Sequence, residues 1–263
     1  MKMVVADLDG TLVHQKKMSK ETRQTIHQLK EDGYYFTLAT GRHKDATRTL
    51  VEELSIDLPV ILTNGACIYD YKNETVIHQD TLEASLLDQL LKIINQKQVS
   101  YLIYTTKQIV SSNVAKDKLE KRIGAFESVV VNKDEEHLYL EDGVLKLLVI
   151  EEDHDLLNEL KESLKTIKGI YLLQSQPQFL DIGNQLASKG RALKRLANHL
   201  GIDLEEVFAI GDQENDLSMI LEAGVGVAMA NAEALLKEHA DYVTKSVTEE
   251  GFTHAVKTLI YQK

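Results

Sequence analysis

Short apolar runs alternate with amphipathic segments along most of the chain. The runs predict buried strands at Met3–Ala6, Tyr35–Ala39, Val60–Leu62, Val207–Ile210 and Val225–Ala228. Apolar residues recur at helical spacing in Ser188–Leu200, and Gly201 follows as a helix terminator. Ser19 predicts the start of another helix, which ends near Gly33. Strands and helices that alternate in this way predict an α/β fold around a parallel sheet.

The middle of the chain departs from this alternation. After a hairpin-like segment, Cys67–Gln79, several strands follow one another directly. Helices are predicted near Leu82–Lys97, Val114–Phe126 and Asp153–Lys168, and strands at Val99–Tyr104, Gln108–Ser111, Val129–Val131, Val144–Ile150, Ile170–Gln174 and Gln178–Ile182. We therefore expect residues 82–186 to form an inserted α+β domain, with helices on one face of a mostly antiparallel sheet. Residues 1–81 and 187–263 would form the α/β core.

Composition and charge narrow the class of protein. The 263 residues include 30 Lys and Arg against 41 Asp and Glu, and this net charge of −11 argues against a nucleic-acid partner. Hydrophobic residues make up 43% of the chain, enough for a substantial core. The single cysteine, Cys67, cannot form an intrachain disulfide, and no stretch approaches the ~20 apolar residues of a membrane span. We expect a soluble cytoplasmic protein with no membrane partner.

Acidic residues follow the first predicted strand directly, in the sequence Asp7-Leu8-Asp9-Gly10-Thr11. Because side chains alternate along a strand, Asp7 and Asp9 are expected on one side of its carboxyl end, where ligands bind in open α/β sheets. Two neighbouring carboxylates repel each other, so they favour a metal ion or an acid/base pair. The alternative interpretation is a simple Asp-Gly turn.

Three further polar segments follow predicted strands or begin helices: Thr40-Gly41-Arg42, Ser188-Lys189-Gly190 and Gly211-Asp212-Gln213-Glu214-Asn215-Asp216. Each alone is compatible with an ordinary turn or helix start. Together they predict one site with carboxylates, an ammonium group, a hydroxyl and backbone donors. Oxygen ligands without a His or Cys cluster favour Mg²⁺. Mg²⁺ and Lys189 would offset the acids and allow a phosphate group to approach.

These motifs resemble the haloacid dehalogenase superfamily, and specifically its Cof-type phosphatases. The resemblance covers the whole chain and also includes Leu62–Ala66, Gly226–Ala232 and Ala240–Thr244. It implies a Rossmann-like parallel-sheet core with an inserted α/β cap, residues 82–186, that determines substrate specificity. The chain departs from the family at Ile182–Ala187, where relatives often carry a Pro-Lys-Gly-Val turn.

The resemblance also implies a role for each matched residue. Asp7 would be the nucleophile that forms an aspartyl-phosphate, and Asp9 the general acid and base. Mg²⁺ would be held by the Asp7 side chain, the Asp9 backbone carbonyl and Asp212, with Asp216 as an indirect or water-mediated ligand. The groups expected to bind the phosphoryl oxygens are the Leu8 backbone N–H, Thr40, Gly41, Lys189 and Asn215. The candidate substrate contacts are Arg42 and Asn64.

The function implied is that of a Mg²⁺-dependent phosphatase that hydrolyses phosphate monoesters of small metabolites, such as sugar phosphates or phosphorylated cofactors. Two alternatives remain open at the level of sequence. A phosphomutase of the same superfamily would transfer the phosphoryl group to a sugar hydroxyl instead of water. A regulatory protein that senses a phosphorylated metabolite would bind at the same site without catalysis. The complete set of catalytic positions favours the phosphatase.

Overall fold

The computed structural model describes residues 2–123, 125–132 and 135–262. In chain order its strands are β1 Met3–Ala6, β2 Tyr35–Leu38, β3 Val60–Leu62, β4 Cys67–Asp70, β5 Thr75–Gln79, β6 Ser100–Thr105, β7 Ile109–Ser111, β8 Val129–Val130, β9 Val144–Ile150, β10 Ile170–Gln176, β11 Phe179–Asn184, β12 Val207–Gly211, β13 Val225–Ala228 and β14 Tyr242–Val243. The helices are α1 Lys20–Glu31, α2 Lys44–Glu53, α3 Ala84–Gln96, α4 Asn113–Ile123, α5 His137–Leu140, α6 His154–Leu164, α7 Lys189–Leu200, α8 Leu217–Glu222, α9 Ala234–His239 and α10 Gly251–Val256. The helix predicted at Val114–Phe126 corresponds to α4, and Gly124 lies outside the described residues. None of these helices has the length and apolar character needed to cross a membrane.

The chain divides into two compact units. The core unit consists of Met1–Arg42, Thr47–His78 and Ser188–Lys263, and the inserted unit consists of His43–Ala46 and Gln79–Ala187. Within the inserted unit, the His43 ring is buried, and its Nε2 lies 3.1 Å from the Thr105 carbonyl oxygen. Nothing in the hydrophobic pattern indicates that His43–Ala46 groups with residues so much later in the chain.

A five-stranded parallel sheet forms the centre of the core unit, in the order β14-β13-β12-β1-β2. All four residues of β1 are buried, as is typical of a strand covered on both faces. The predicted α/β fold with a parallel sheet is confirmed. Because β1 and β12 are adjacent and parallel, their carboxyl ends meet at one edge of the sheet. Asp7 and Asp212, the residues that follow these two strands, are therefore brought together.

The strand predicted at Val60–Leu62 belongs to a different sheet from the one expected. β3 pairs antiparallel with β4 and forms a three-stranded sheet with β4 and β5. A single bridge between Ala39 and Ile61 links it to the end of β2, followed by a 2.9 Å hydrogen bond from Thr40 N to the Ile61 carbonyl oxygen. A run of three apolar residues does not specify its neighbour, so the sequence alone could not decide between these pairings.

Helix ends in the core unit follow their local sequence. The Ser188 side chain accepts a hydrogen bond from Arg191 N at the start of α7, and Gly201 ends that helix in the left-handed conformation. At the start of α1, the Ser19 side chain accepts a hydrogen bond from Thr22 N. Both predicted helix starts are confirmed, and the α7 start fixes the position of Lys189.

The inserted unit contains a six-stranded sheet in the order β10-β11-β9-β6-β7-β8, antiparallel except for the parallel pair β7 and β8. Helices α3 and α6 pack on the face that carries Leu147 and Val149, whereas α4 packs on the face that carries Leu148 and Ile150. The expectation that helices cover only one face is therefore wrong. All seven residues of β9 are buried, and all of them except Lys146 are apolar. Its sequence therefore lacks the alternation of polar and apolar residues that would indicate an exposed face.

The segment Ile182–Ala187, which departs from the family pattern, contains a residue that joins the two ends of the insertion. Asn184 Nδ2 donates to the Thr81 carbonyl oxygen at 2.7 Å, and Asn184 Oδ1 accepts from Leu186 N at 2.9 Å. Asn184 therefore holds the incoming and outgoing chain segments side by side within the inserted unit.

Candidate active site

Asp7 and Asp9 leave the end of β1 in different environments. Asp7 is buried, and its N–H continues the sheet with a 2.9 Å hydrogen bond to the Ile210 carbonyl oxygen of β12. The Asp9 side chain is 56% exposed and forms a two-point ion pair with Arg42. Arg42 Nε donates to Asp9 Oδ2 at 2.8 Å, and Nη2 donates to Oδ1 at 2.6 Å. Leu8, between the two acids, is fully buried and anchors the turn.

Lys189 lies in the first turn of α7 and is fully buried. Its Nζ donates to Asp7 Oδ1 at 2.6 Å and to Asp216 Oδ1 at 2.5 Å. Burial alone would lower the pKa of Lys189, but the carboxylates of Asp216 and Asp7 outweigh burial and raise it. These two carboxylates explain why a cation is stable at a helix start, where the helix dipole disfavours it. Lys189 therefore remains charged and fixes the orientation of Asp7.

Asp7, Asp212 and Asp216 form a cluster of three buried carboxylates in which one oxygen of each lies within 4.8 Å of the others. Burial, reinforced by the charge of Asp216, raises the pKa of Asp212 to about 7. Burial also raises the pKa of Asp7 well above its usual range, although Lys189 opposes the rise. Three acids beside one lysine leave excess negative charge in a buried place, which is costly without a further cation. This all-oxygen set fits a hard divalent ion such as Mg²⁺.

The turn after β1 holds Asp212 in place. Gly10 has a φ of +93°, and a Cβ at this position would lie 2.2 Å from Asp212 Oδ2, so a side chain cannot be accommodated. Thr11 Oγ1 donates to Asp212 Oδ1 at 2.8 Å. Asp216 Oδ2 accepts hydrogen bonds from Asp212 N at 2.9 Å and Gln213 N at 3.0 Å. Both oxygens of Asp216 therefore accept hydrogen bonds from the protein.

The other predicted site residues form a second hydrogen-bonded group. Thr40 and Gly41 follow β2, and the Thr40 carbonyl oxygen accepts from Asn64 N at 3.1 Å. Asn215 Nδ2 donates to Asn64 Oδ1 at 2.9 Å. The structure thus brings Thr40, Gly41, Asn64 and Asn215 together. Arg42, from the same turn as Thr40, is directed to Asp9 instead.

Two positioning residues were not singled out by sequence analysis. Thr11 orients Asp212, and Asn231 donates from Nδ2 to the Gly10 carbonyl oxygen at 2.9 Å while its Oδ1 accepts from Val247 N at 2.8 Å. Both residues lie within motifs that carry the family resemblance, which is the only signal that the sequence offers. Their roles become visible only in three dimensions, because Thr11 and its partner lie 201 positions apart in the chain.

The fold and the site together define a class of protein. A parallel α/β core with an inserted α+β unit places a buried acid cluster and a lysine at the carboxyl ends of its strands, as in α/β enzymes that bind ligands at this edge. The sequence profile of haloacid dehalogenase-like hydrolases matches residues 4–256. The chain belongs to this family, and the prediction that it is a hydrolase is confirmed.

Relatives match the chain over nearly its full length. "Phosphatase YwpJ" of Bacillus subtilis is 32% identical, with 99% of this chain and 100% of the relative covered. A second B. subtilis protein, "5-amino-6-(5-phospho-D-ribitylamino)uracil phosphatase YwtE", is also 32% identical, with 99% and 98% covered. Among solved structures, a haloacid dehalogenase-like hydrolase from Bacteroides thetaiotaomicron superposes with a TM-score of 0.87 at 30% identity, covering 98% of this chain and 99% of that one. The chain is therefore similar to these proteins in both sequence and fold.

Proposed function

We propose that the protein is a Mg²⁺-dependent phosphatase that hydrolyses phosphate monoesters of small metabolites. The observation that carries the proposal is the cluster of Asp7, Asp212 and Asp216 around fully buried Lys189. Such a site holds a carboxylate ready for attack and an excess of acids that calls for a cation. Similarity to full-length relatives named as phosphatases supports the same reaction class.

In the proposed reaction, an Asp7 carboxylate oxygen attacks phosphorus while the ester P–O bond breaks. Asp9 gives a proton to the leaving alkoxide, then removes one from the water that hydrolyses the aspartyl-phosphate, so inorganic phosphate is released and Asp7 is regenerated. Asp9 must first leave Arg42, because a carboxylate with both oxygens on a guanidinium group is an acceptor and not a donor. Mg²⁺, held by Asp7, Asp212 and the Asp9 carbonyl, would stabilise the charge on the phosphoryl group.

The phosphoryl oxygens would be bound by Lys189 and by the group around Thr40, Gly41 and Asn215, together with the Leu8 N–H. The substrate would be a small phosphorylated metabolite, of the sugar phosphate or phosphorylated cofactor type. We also propose that residues 82–186, the inserted cap, determine which of these esters is accepted.

Hydrolysis of p-nitrophenyl phosphate tests the reaction. Asp7→Asn removes the nucleophile with little change of shape, so we expect loss of measurable turnover with an unchanged melting temperature. Asp70→Asn is the matched control, because it removes the charge of a buried acid of the core unit whose oxygens accept hydrogen bonds from Lys72 N, Asn73 N and Asn73 Nδ2. An Asp7→Asn variant as active as the wild type would overturn the assignment of the nucleophile.

A panel of phosphorylated metabolites, compared by kcat/KM, tests the substrate class. Inorganic phosphate is the expected product. Conversion of sugar 1-phosphates to isomers without phosphate release would instead indicate a phosphomutase, and tight binding without turnover of any ester would indicate a sensor.

A further inference from the structure

The turn that follows β3 has an unusual backbone. Its three residues are consecutively left-handed, with φ of +52° at Thr63, +57° at Asn64 and +94° at Gly65. This region suits Gly and tolerates Asn, but a β-branched Thr there is strained. The Thr63 hydroxyl is buried and has no hydrogen-bond partner among the described residues. Strain of this kind persists only where the surrounding structure imposes it, so the contacts of the turn indicate what it serves.

The backbone of this turn connects two parts of the site. Thr63 N donates to the Arg42 carbonyl oxygen at 3.0 Å, and Asn64 N donates to the Thr40 carbonyl oxygen at 3.1 Å, which ties the turn to the loop after β2. A Cβ at Gly65 would lie 2.2 Å from the Ser188 carbonyl oxygen, immediately before Lys189. The turn therefore sets the separation between the Thr40–Arg42 loop and the start of α7.

The Asn64 side chain reaches two further groups expected to bind phosphate. Asn64 is nearly fully buried, and its Oδ1 accepts from Asn215 Nδ2 at 2.9 Å. The same oxygen lies 2.7 Å from where a Cβ on Gly41 would be, so it closely borders the backbone of that residue. The Asn64 Oδ1 atom thus lies against both Asn215 and Gly41.

The hydrogen bond to Asn64 decides which way the Asn215 amide faces. An amide nitrogen has two N–H bonds, so the one used by Asn64 leaves the other for an anion, which can only accept. Asn215 Oδ1 is buried without a hydrogen-bond partner in the described part of the chain. If the amide were reversed, its oxygen would face the oxygen of Asn64, and the two acceptors would repel each other.

We propose that Asn64 is a positioning residue that acts through Asn215 and Gly41 rather than by contacting substrate, and that the strained turn Thr63–Gly65 holds it there. This inference rests on the proposed function, because that function assigns Gly41 and Asn215 to phosphoryl binding. It replaces the interpretation of Asn64 as a direct substrate contact.

The deciding variant is Asn64→Gly, because glycine adopts the same left-handed backbone but lacks the acceptor oxygen. We expect about a tenfold higher KM for p-nitrophenyl phosphate and an equally weakened inhibition by inorganic phosphate. The melting temperature should stay within a few degrees of the wild type, because relief of the left-handed strain offsets part of the lost buried hydrogen bond. Asn64→Asp keeps the acceptor and adds a charge, so KM should rise while kcat stays within about threefold. Ser55→Gly is the matched control, since Ser55 is exposed, belongs to the core unit and has a φ of +50°; its kinetics should equal those of the wild type.

A double-variant cycle separates positioning from direct contact. If Asn64 acts through Asn215 and Gly41, the pair Asn64→Gly with Asn215→Ala should lose less phosphate affinity than the product of the two single losses. Losses that multiply, or an Asn64→Gly enzyme with wild-type KM and phosphate affinity, would overturn the inference.

Calorimetric binding of inorganic phosphate distinguishes failure of this inference from failure of the proposed function. A wild-type protein that binds phosphate but hydrolyses no ester would refute the phosphatase, and the phosphate affinity of Asn64→Gly would still decide the role of Asn64. A wild-type protein that neither binds phosphate nor hydrolyses esters would refute both.

Discussion

Each unit of the molecule buries a lysine against aspartate, but the two lysines have different surroundings. In the inserted unit, Lys146 pairs with Asp181, which also accepts from Ser175 Oγ at 2.6 Å. The Lys146 ammonium lies 4.7 Å from the ring centroid of Tyr104. In the core unit, Lys189 lies between two carboxylates, with Asp212 as a third acid close by.

The difference separates a structural ion pair from the proposed ligand site. One cation with one carboxylate offsets much of the cost of burial, so such a pair needs no further partner. Three carboxylates beside one lysine remain short of positive charge. Burial, reinforced by the neighbouring carboxylates, raises the pKa values of Asp7 and Asp212. A buried excess of negative charge is stabilised when a counter-ion or ligand neutralises it, whereas a matched ion pair can be replaced by apolar residues.

The largest expected difference is in activity after each lysine is removed. Lys189→Met should lower kcat/KM for p-nitrophenyl phosphate by roughly 10²–10³-fold, because it removes the ammonium that fixes Asp7 and is proposed to bind the phosphoryl group. Both substitutions should destabilise the fold by about 3–5 kcal/mol, because each leaves a buried carboxylate without its cation. The folded fraction of Lys146→Met, however, should keep the wild-type kcat/KM. Lys146→Met with Asp181→Leu should recover most of that stability. Urea denaturation together with steady-state kinetics measures both effects, and a Lys146→Met enzyme as inactive as Lys189→Met but fully stable would break the comparison.

The next largest effect is expected when a cation binds to the cluster of Asp7, Asp212 and Asp216. Saturating Mg²⁺ should raise the melting temperature of the chelator-treated protein by about 5–10 °C, since an ion bound only by the folded state stabilises it by mass action. Asp212→Asn should abolish most of the shift, whereas Asp70→Asn, at a buried acid outside the cluster, should retain it. An equal shift in both variants would locate the ion away from the acid cluster.

The smallest effect is on the pH dependence of stability without metal. The pKa of Asp212 is raised by burial to about 7, so the stability that its protonated form contributes is complete below the ordinary pKa of 3.8 and is lost as pH rises through 7. The melting temperature of the metal-free wild type should therefore fall by a few degrees between pH 5.5 and 8, relative to Asp212→Asn. Thermal scans across this range test the sign. A melting temperature that rises with pH relative to the variant would contradict burial as the dominant influence on the Asp212 carboxyl.

Much of the fold was predictable because short stretches of sequence specify individual helices and strands. Strand β1 is an apolar run ended by acids, and the start of α7 is a serine cap before a regular apolar repeat. The edge where Asp7 and Asp212 meet follows from the parallel order of β1 and β12, which alternation of strands and helices already implies. The site motifs stand at these positions, so their proximity was foreseeable.

The remaining features depend on contacts between distant parts of the chain. The ion pair of Arg42 with Asp9 and the bond from Thr11 to Asp212 join residues whose sequence neighbours give no sign of either partner. The second covered face of the inserted sheet escaped prediction because β9 is apolar at nearly every position. The left-handed backbone of Thr63 could not be predicted either, because threonine rarely adopts a positive φ.

Complete burial of Lys189 also makes it a chemical reporter. Acylating reagents need access to an amine, and the Lys189 side chain has no exposed surface. Its modification rate, followed by mass spectrometry of digested protein, would measure how often this end of α7 opens, while exposed lysines such as Lys107 would react at once in the same sample. Lys189, which is proposed to hold the nucleophile, would thus report the rate of local unfolding without an added label.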